Sequence, residues 1–197
     1  MALFYLVRHG NNDFLGKILA GRLPRVSLND DGRSEATWIA NILSRCRVQR
    51  IISSPLERCL ETAAPLAQRL SLPVEVSSEI LEVDFGDWTG AKMEELKTYE
   101  QWARFNTYRS GTRPPNGESV TEVQARVVGF LEKLSRQLPS QTFAIFSHGD
   151  PIRAVLCYYL GMPLDFLTRL EVSPGSYSVL RLEPWGAEVL AINRLPP

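Results

Sequence analysis

The 197-residue chain predicts an α/β fold: a three-layer α/β/α sandwich with a mostly parallel central sheet, an antiparallel edge and a small helical lid insertion. Three observations lead there. Short apolar runs of strand length alternate with segments of helical periodicity along most of the chain. The first such runs end abruptly at small or polar residues, as buried parallel strands do when they feed a loop. Residues 79–118 break the alternation, being aromatic, charged and rich in Gly and Pro.

Leu3-Phe4-Tyr5-Leu6-Val7 reads as a buried strand stopping at Arg8-His9-Gly10. Gly10, Gly16 and Gly21 punctuate the loop beyond it. A helix is expected from about Asp31-Gly32 to Arg45, with Ala36, Ile39, Ala40 and Leu43 on one face. Val48–Ile52 is the second strand, ending at Ser53-Ser54-Pro55. The next helix, about 56–70, has Leu56, Leu60, Ala63, Ala64 and Ala67 as its expected apolar face, and Pro65 predicts a kink or break. Pro73–Val76 is a short strand. Weak helices are expected near 92–98 and 99–108, and residues 91–118 form the lid insertion of an otherwise single domain, 1–197. Val123, Val127, Phe130, Leu131 and Leu134 space a long helix over 119–137. Thr142–Phe146 is the third long strand, ending at Ser147-His148-Gly149, and a helix follows from about 151 to 160 with Asp150 as its cap and Pro151 at its first position. Two strands, about 176–182 and 187–193, close the chain through Pro184-Trp185-Gly186.

Composition excludes several classes. Lys+Arg and Asp+Glu are both 22, so the basic excess of a nucleic-acid binder is missing. No apolar run approaches the roughly 20 residues of a membrane span. The opening MALFYLVRHG lacks a basic start and is interrupted by Arg8-His9, unlike a signal peptide, so the expected location is cytoplasmic. Three cysteines (Cys46, Cys59, Cys157) without a CxxC pair argue against a disulfide framework or zinc site and read as small buried residues. No metal or other cofactor is expected.

The chain has only two histidines, His9 and His148; each follows a predicted strand and precedes glycine. Ligands of open α/β sheets bind in the crevice outside the strand carboxyl ends. Arg8 precedes His9, and Arg58 sits in the first turn after the second strand. Arginine holds phosphate oxygens bidentately and keeps its charge, so two Arg and two His at three strand ends make an anion site. Backbone N–H groups at the helix start near Gly149 add to it. Taken singly, Arg8 reads as a surface loop charge and Arg58 as a solvated helix residue; the constellation makes them functional.

At these residues the chain resembles the histidine phosphatase superfamily, the phosphoglycerate-mutase-like fold. Leu6-Val7-Arg8-His9-Gly10 is similar to its signature. Asp31-Gly32-Arg33-Ser34-Glu35-Ala36, Ser53 through Ala63, Leu81 through Gly90, Gly117-Glu118-Ser119 and Ser147-His148-Gly149 follow in the family's order, from about residue 3 to 155. The resemblance implies that His9 is the nucleophile and becomes phosphohistidine. It implies that Arg8, Arg58 and His148 bind the phosphoryl oxygens, and that Glu82 is the general acid and then the base. Asp84 is the alternative acid, and Asp87 lies close by. Attack needs a neutral imidazole; neighbouring cations would hold His9 below its ordinary value of ~6.5.

The loop Asn11-Asn12-Asp13-Phe14-Leu15 departs from the family pattern, with Leu15 where an asparagine often stands; Asn11 or Asn12 takes its place as a substrate-binding candidate, beside Gly149. The acid block is similar to the phosphatase branch, so the expected activity is metal-independent hydrolysis of a small phosphorylated metabolite, with phosphoester or inorganic phosphate as the ligand. Phosphoglycerate-mutase-type transfer and a non-catalytic phosphate- or phosphoprotein-binding module are the alternatives. The lid holds Trp102, Phe105 and Tyr108 beside Arg104, Arg109 and Arg113, which either pack the lid or line a substrate pocket. The last strands either cover a sheet edge or pair with a second chain as a homodimer.

Overall fold

The computed structural model describes residues 1–195. Its sheet has six strands in the order β3-β2-β4-β1-β5-β6: β1 (Ala2–Arg8), β2 (Arg50–Ser53), β3 (Val74–Val76), β4 (Thr142–Ser147), β5 (Tyr177–Glu183) and β6 (Gly186–Arg194). β1 to β4 run parallel, and β5 pairs antiparallel with both β1 and β6. Helices α1 (Asp30–Leu43) and α2 (Glu57–Leu70) pack on each other and cover one face. The later helices α5 (Val120–Gln137) and α6 (Gly149–Leu160) cover the other. Between them in sequence come α3 (Met93–Leu96) and α4 (Glu100–Thr107), in the expected lid.

Sheet register positions the site. Arg8 pairs with Ser147 across β1–β4, and Ser53 with Phe146 across β2–β4. Three adjacent parallel strands therefore end together, and the residues following them, His9, Ser54 and His148, emerge side by side. The sheet is apolar on both faces, as a covered parallel sheet must be. Phe4 and Phe143 stack at 4.9 Å toward the α5–α6 side, while Val7, Ala144 and Phe146 pack toward α1 and α2.

The α1 face is as expected, with Ala36, Ile39, Ala40 and Leu43 buried and Asn29 capping the helix through Gly32 N–H. Its start lies against the loop after β1. A Cβ on Gly10 would sit 2.6 Å from Gly32 O, and one on Gly32 2.1 Å from Asn11 O, so only two glycines allow this backbone contact.

Three expectations need correction. α2 runs unbroken through Pro65, which forfeits one backbone bond while the surrounding turns stay buried. Its buried stripe is Arg58, Cys59, Thr62, Ala63 and Leu66; of the expected face Leu56 and Ala63 are buried, Leu60 and Ala67 are half-buried and Ala64 is exposed. The helix is turned so that Arg58 faces inward. Finally, α6 begins at Gly149 with His148 as N-cap, and Asp150 does not cap because its carboxylate is drawn onto two arginines. A 3₁₀ segment at Leu164–Arg169 was not expected; at six residues it is too short to show a helical period.

Candidate active site

A cleft of about 300 Å³ opens at the strand carboxyl ends, lined by Arg8, His9, Arg58, Glu82 and Gly149 and, from the lid, Trp102 and Arg109. Asn12, Leu15 and Arg153 also reach it.

His9 is 4% exposed, and its Nδ1 lies 2.9 Å from Gly10 O. A carbonyl only accepts, so Nδ1 carries the proton and Nε2 keeps a free lone pair. The Gly10 peptide is itself fixed. Its N–H donates to Thr62 Oγ1 at 3.0 Å, and the Thr62 hydroxyl donates to Arg58 O at 2.6 Å. One α2 side chain thus ties the His9 loop to the turn carrying Arg58. Burial, then Arg8 and Arg58, holds His9 well below its ordinary pKa, so its ring is neutral.

Arg58 is 2% exposed and donates through Nη2 to Gly21 O (2.7 Å) and His148 Nδ1 (3.2 Å). Because Nδ1 accepts, His148 Nε2 carries the hydrogen and donates to Ser54 Oγ at 2.8 Å. His148 is fully buried, its ring edge-on to His9 at 5.3 Å. Both its nitrogens are engaged and it lies behind the cleft wall, whereas the sequence led to an expectation of direct phosphoryl contact. Its path to a ligand runs through Arg58, or directly if it releases Ser54. Burial, then Arg58, keeps it neutral as well.

Arg8 Nη1 donates to Val172 O at 2.7 Å. Arg8 Nε and Arg58 Nη1 are buried without a hydrogen-bond partner among the described residues. Such orphan donors are costly, and two at one cleft mark a place made for an anion.

Glu82 lines the cleft, with Oε1 accepting from Val83 N–H at 2.9 Å. Burial, reinforced by the Asp150 charge, pushes its carboxyl up to about 7. Asp84 accepts from Gly86 N–H and faces Arg22 outside the cleft, and Asp87 accepts from Asn116. Of the three acids only Glu82 reaches the cleft. Its loop is held through main-chain carbonyls: Arg22 Nε and Arg126 Nη2 both donate to Glu82 O, and Glu118 bridges the two arginines. Arg22 thus joins the first loop to the 79–87 segment.

The remaining candidates divide. Asn12 lines the cleft and caps Phe14 N–H, but Asn11 does not line it, and its backbone N–H donates to Glu35. Arg109 is buried, paired with Asp150 at 2.8 Å and set over the Phe105 ring at 4.4 Å; Arg113 is exposed and tied to Glu122. Trp102 forms cleft wall, Phe105 is fully buried with Trp88 and Phe85, and Tyr108 is exposed. Sequence reasoning missed Arg126, Arg153 and the pairing role of Asp150. Arg126, Arg153 and Asp150 have partners 44, 17 and 41 positions away, beyond any local pattern, although Arg153 and Asp150 also pair with each other at i,i+3 spacing. Cys59 and Cys157 are buried and Cys46 half-buried, all free. Among the described residues no three His, Cys, Asp or Glu side chains gather as metal ligands would, and no helix is long and apolar enough to cross a membrane.

Comparison with known proteins agrees with this geometry. The family model described as histidine phosphatase superfamily (branch 1) matches residues 4–195. Phosphoserine phosphatase 1 of Hydrogenobacter thermophilus is 32% identical over 98% of this chain and 92% of its own. Glucosyl-3-phosphoglycerate phosphatase of Mycolicibacterium vanbaalenii is 28% identical over 95% and 96%. Among solved structures, YhfR of Bacillus stearothermophilus superposes with a TM-score of 0.91 at 22% identity, covering 97% of this chain and 96% of that one, a likeness of fold.

Proposed function

The chain belongs to the histidine phosphatase superfamily (branch 1), and on that premise we propose that it hydrolyses a small phosphomonoester through a phosphohistidine on His9. One observation carries the reading: a neutral imidazole with Nε2 left free stands beside two buried arginine N–H groups that have no protein partner.

His9 Nε2 attacks phosphorus in line with the leaving oxygen, and the P–O bond breaks as the P–N bond forms. Arg8 and Arg58 donate to the non-bridging oxygens, where charge must be balanced throughout transfer. His148 orients Arg58. Glu82 enters protonated and gives its proton to the departing alkoxide; as a carboxylate it then takes one from the water that attacks phosphorus and frees His9. The first water-free step and the second hydrolytic step use the same acid in opposite states, which a carboxyl titrating near 7 suits.

Hydrolysis is favoured over mutase-type transfer because the compared relatives carry phosphatase names. The lid at 91–118 selects the substrate through Trp102 and its neighbours. The proposal extends to a cytoplasmic setting with no nucleic-acid partner, supported by balanced charge, and to a homodimer formed through the β6 edge.

Phosphate release from p-nitrophenyl phosphate in EDTA, for wild type and His9→Ala, tests the chemistry. Turnover that survives EDTA and is lost in the variant is expected. Well-folded wild type with no turnover would leave the non-catalytic binding reading in its place.

A further inference from the structure

The place of one proton decides whether the His9 ring can act. A neutral imidazole that carries its hydrogen on Nε2 has no lone pair there to offer phosphorus. The acceptor that keeps the hydrogen on Nδ1, Gly10 O at 2.9 Å, belongs to the Gly10–Asn11 peptide. The bond from Gly10 N–H to Thr62 belongs to the peptide before it, so Thr62 does not orient that carbonyl. Glycine by itself leaves the following peptide plane free to turn. The plane is held from the other end of the same amide, where Asn11 N–H donates to Glu35 Oε2 at 2.7 Å. His9, one peptide unit and Glu35 therefore form a chain of two hydrogen bonds, ring N–H to carbonyl and amide N–H to carboxylate.

Glu35 is packed closely from two sides. It follows Gly32 by three positions on α1, so the two share a helix face. A Cβ on Gly32 would lie 2.1 Å from Asn11 O and 2.8 Å from Asn11 N. The glycine thus lets α1 lie against the Asn11 backbone, which brings Glu35 onto the Asn11 N–H. On the other side, Gly175 has a φ of +64°, and a Cβ there would stand 2.5 Å from Glu35 Cβ. Gly175 N–H also donates to His9 O at 3.1 Å, so one residue meets both His9 and Glu35. Glu35 is half-buried and stands outside the cleft lining, so any effect it has on a ligand passes through His9.

We propose that Glu35 is a positioning residue for His9: through the Gly10–Asn11 peptide it keeps the ring hydrogen on Nδ1 and so leaves the Nε2 lone pair free. For its effect on rate this rests on the phosphatase reading above. During transfer the Nε2 lone pair makes the P–N bond and the leaving oxygen takes the P–O pair. The ring becomes a cation with its hydrogen still on Nδ1, and no proton passes to Glu35. The carboxylate instead polarises the peptide, so that Gly10 O accepts more strongly as the ring turns positive.

The chain has only two histidines, so proton–nitrogen correlation spectra of the imidazoles resolve both rings, with His9→Ala assigning them. In wild type His9 is expected in the Nδ1–H form and His148 in the Nε2–H form. Glu35→Met fills the space without an acceptor. It is expected to bring Nε2–H character into His9 alone and to lower kcat/KM for p-nitrophenyl phosphate by roughly 10–100-fold. Glu35→Gln keeps an acceptor oxygen; it is expected to keep the Nδ1–H form and to lose about fivefold, the difference between a charged and a neutral acceptor. Wild-type His9 in the Nε2–H form would overturn the proposal, and so would a Glu35→Met ring still in the Nδ1–H form. In that second case a fall in rate would make Glu35 a scaffold residue only. Wild type without turnover would sink the phosphatase reading, and the spectra would then decide the role of Glu35 by themselves. If Glu35→Met does not fold, Glu35→Gln decides: its weaker acceptor is expected to move the Nδ1 proton resonance upfield, and an unmoved resonance would refute the link.

Discussion

At the scale of single residues the cleft sets opposed proton affinities side by side. His9 and His148 are buried neutral, and the half-buried Glu82 keeps its proton up to about 7. These have opposite consequences for stability. Between about pH 5 and 6 the unfolded chain protonates both histidines while the folded chain does not, so stability contributed above ~6.5 is lost as pH falls. Glu82 runs the other way: its folded form holds a proton that the unfolded form releases above ~4.3, so its contribution is full at low pH and is lost as pH rises through about 7. The two histidines outweigh the one acid by a proton, or about 1.4 kcal/mol lost per pH unit. In Glu82→Gln the offset is gone, and urea melts from pH 6 to pH 5 should lose about twice that per unit. Equal slopes in the two proteins would contradict a protonated Glu82. The same proton governs rate: kcat/KM should fall above about pH 7, and Glu82→Gln should abolish that limb while cutting kcat/KM by roughly 10²–10⁴.

At the scale of elements, hydrophobic periodicity served α1 and α5 well and failed at α2. Val123, Val127, Leu131 and Leu134 are buried as their spacing predicts. In α2 the stripe is rotated because the helix must turn Arg58 into the cleft and Thr62 under Gly10, and a hydrophobicity scale counts both as outward-facing. Chemistry, not apolar area, sets that rotation. The 91–118 segment shows the complementary case. Its aromatics are expected from sequence to pack the lid or line a pocket; Phe105 and Leu96 instead belong to the core cluster on the α5–α6 side of the sheet, and Phe105 also supports Arg109. Phe105→Ala should therefore cost about 3–5 kcal/mol in chemical denaturation and raise KM more than it lowers kcat. A loss under about 1 kcal/mol would mean the lid folds apart from the core.

At the scale of the molecule, the sheet ends in β6, whose outer edge exposes Leu190 and, at the β5–β6 turn, Trp185, 86% exposed. Despite the register shifts in the β5–β6 pair, an edge strand leaves backbone groups open to pairing with another strand. Sedimentation at micromolar concentration should give the mass of two chains, and Leu190→Lys the mass of one; a wild-type monomer throughout would refute the edge dimer.

The alternation of elements, the helix limits to within two or three residues and the identities of His9, His148, Arg8 and Arg58 were legible in sequence, because each is written in local periodicity or in residue types confined to strand ends. Glu82 was separated from Asp84 only by resemblance; space separates them, since one carboxyl enters the cleft and the other faces Arg22. Asn11 and Asn12 were equal candidates until the loop's packing on α1 turned only Asn12 toward the cleft. Tertiary structure alone decided the proton on His9, the buried position of His148 and the pairing of Asp150 with Arg109. These depend on which carbonyl, hydroxyl or guanidinium lies within about 3 Å, a distance that sheet register sets and no local run of sequence encodes.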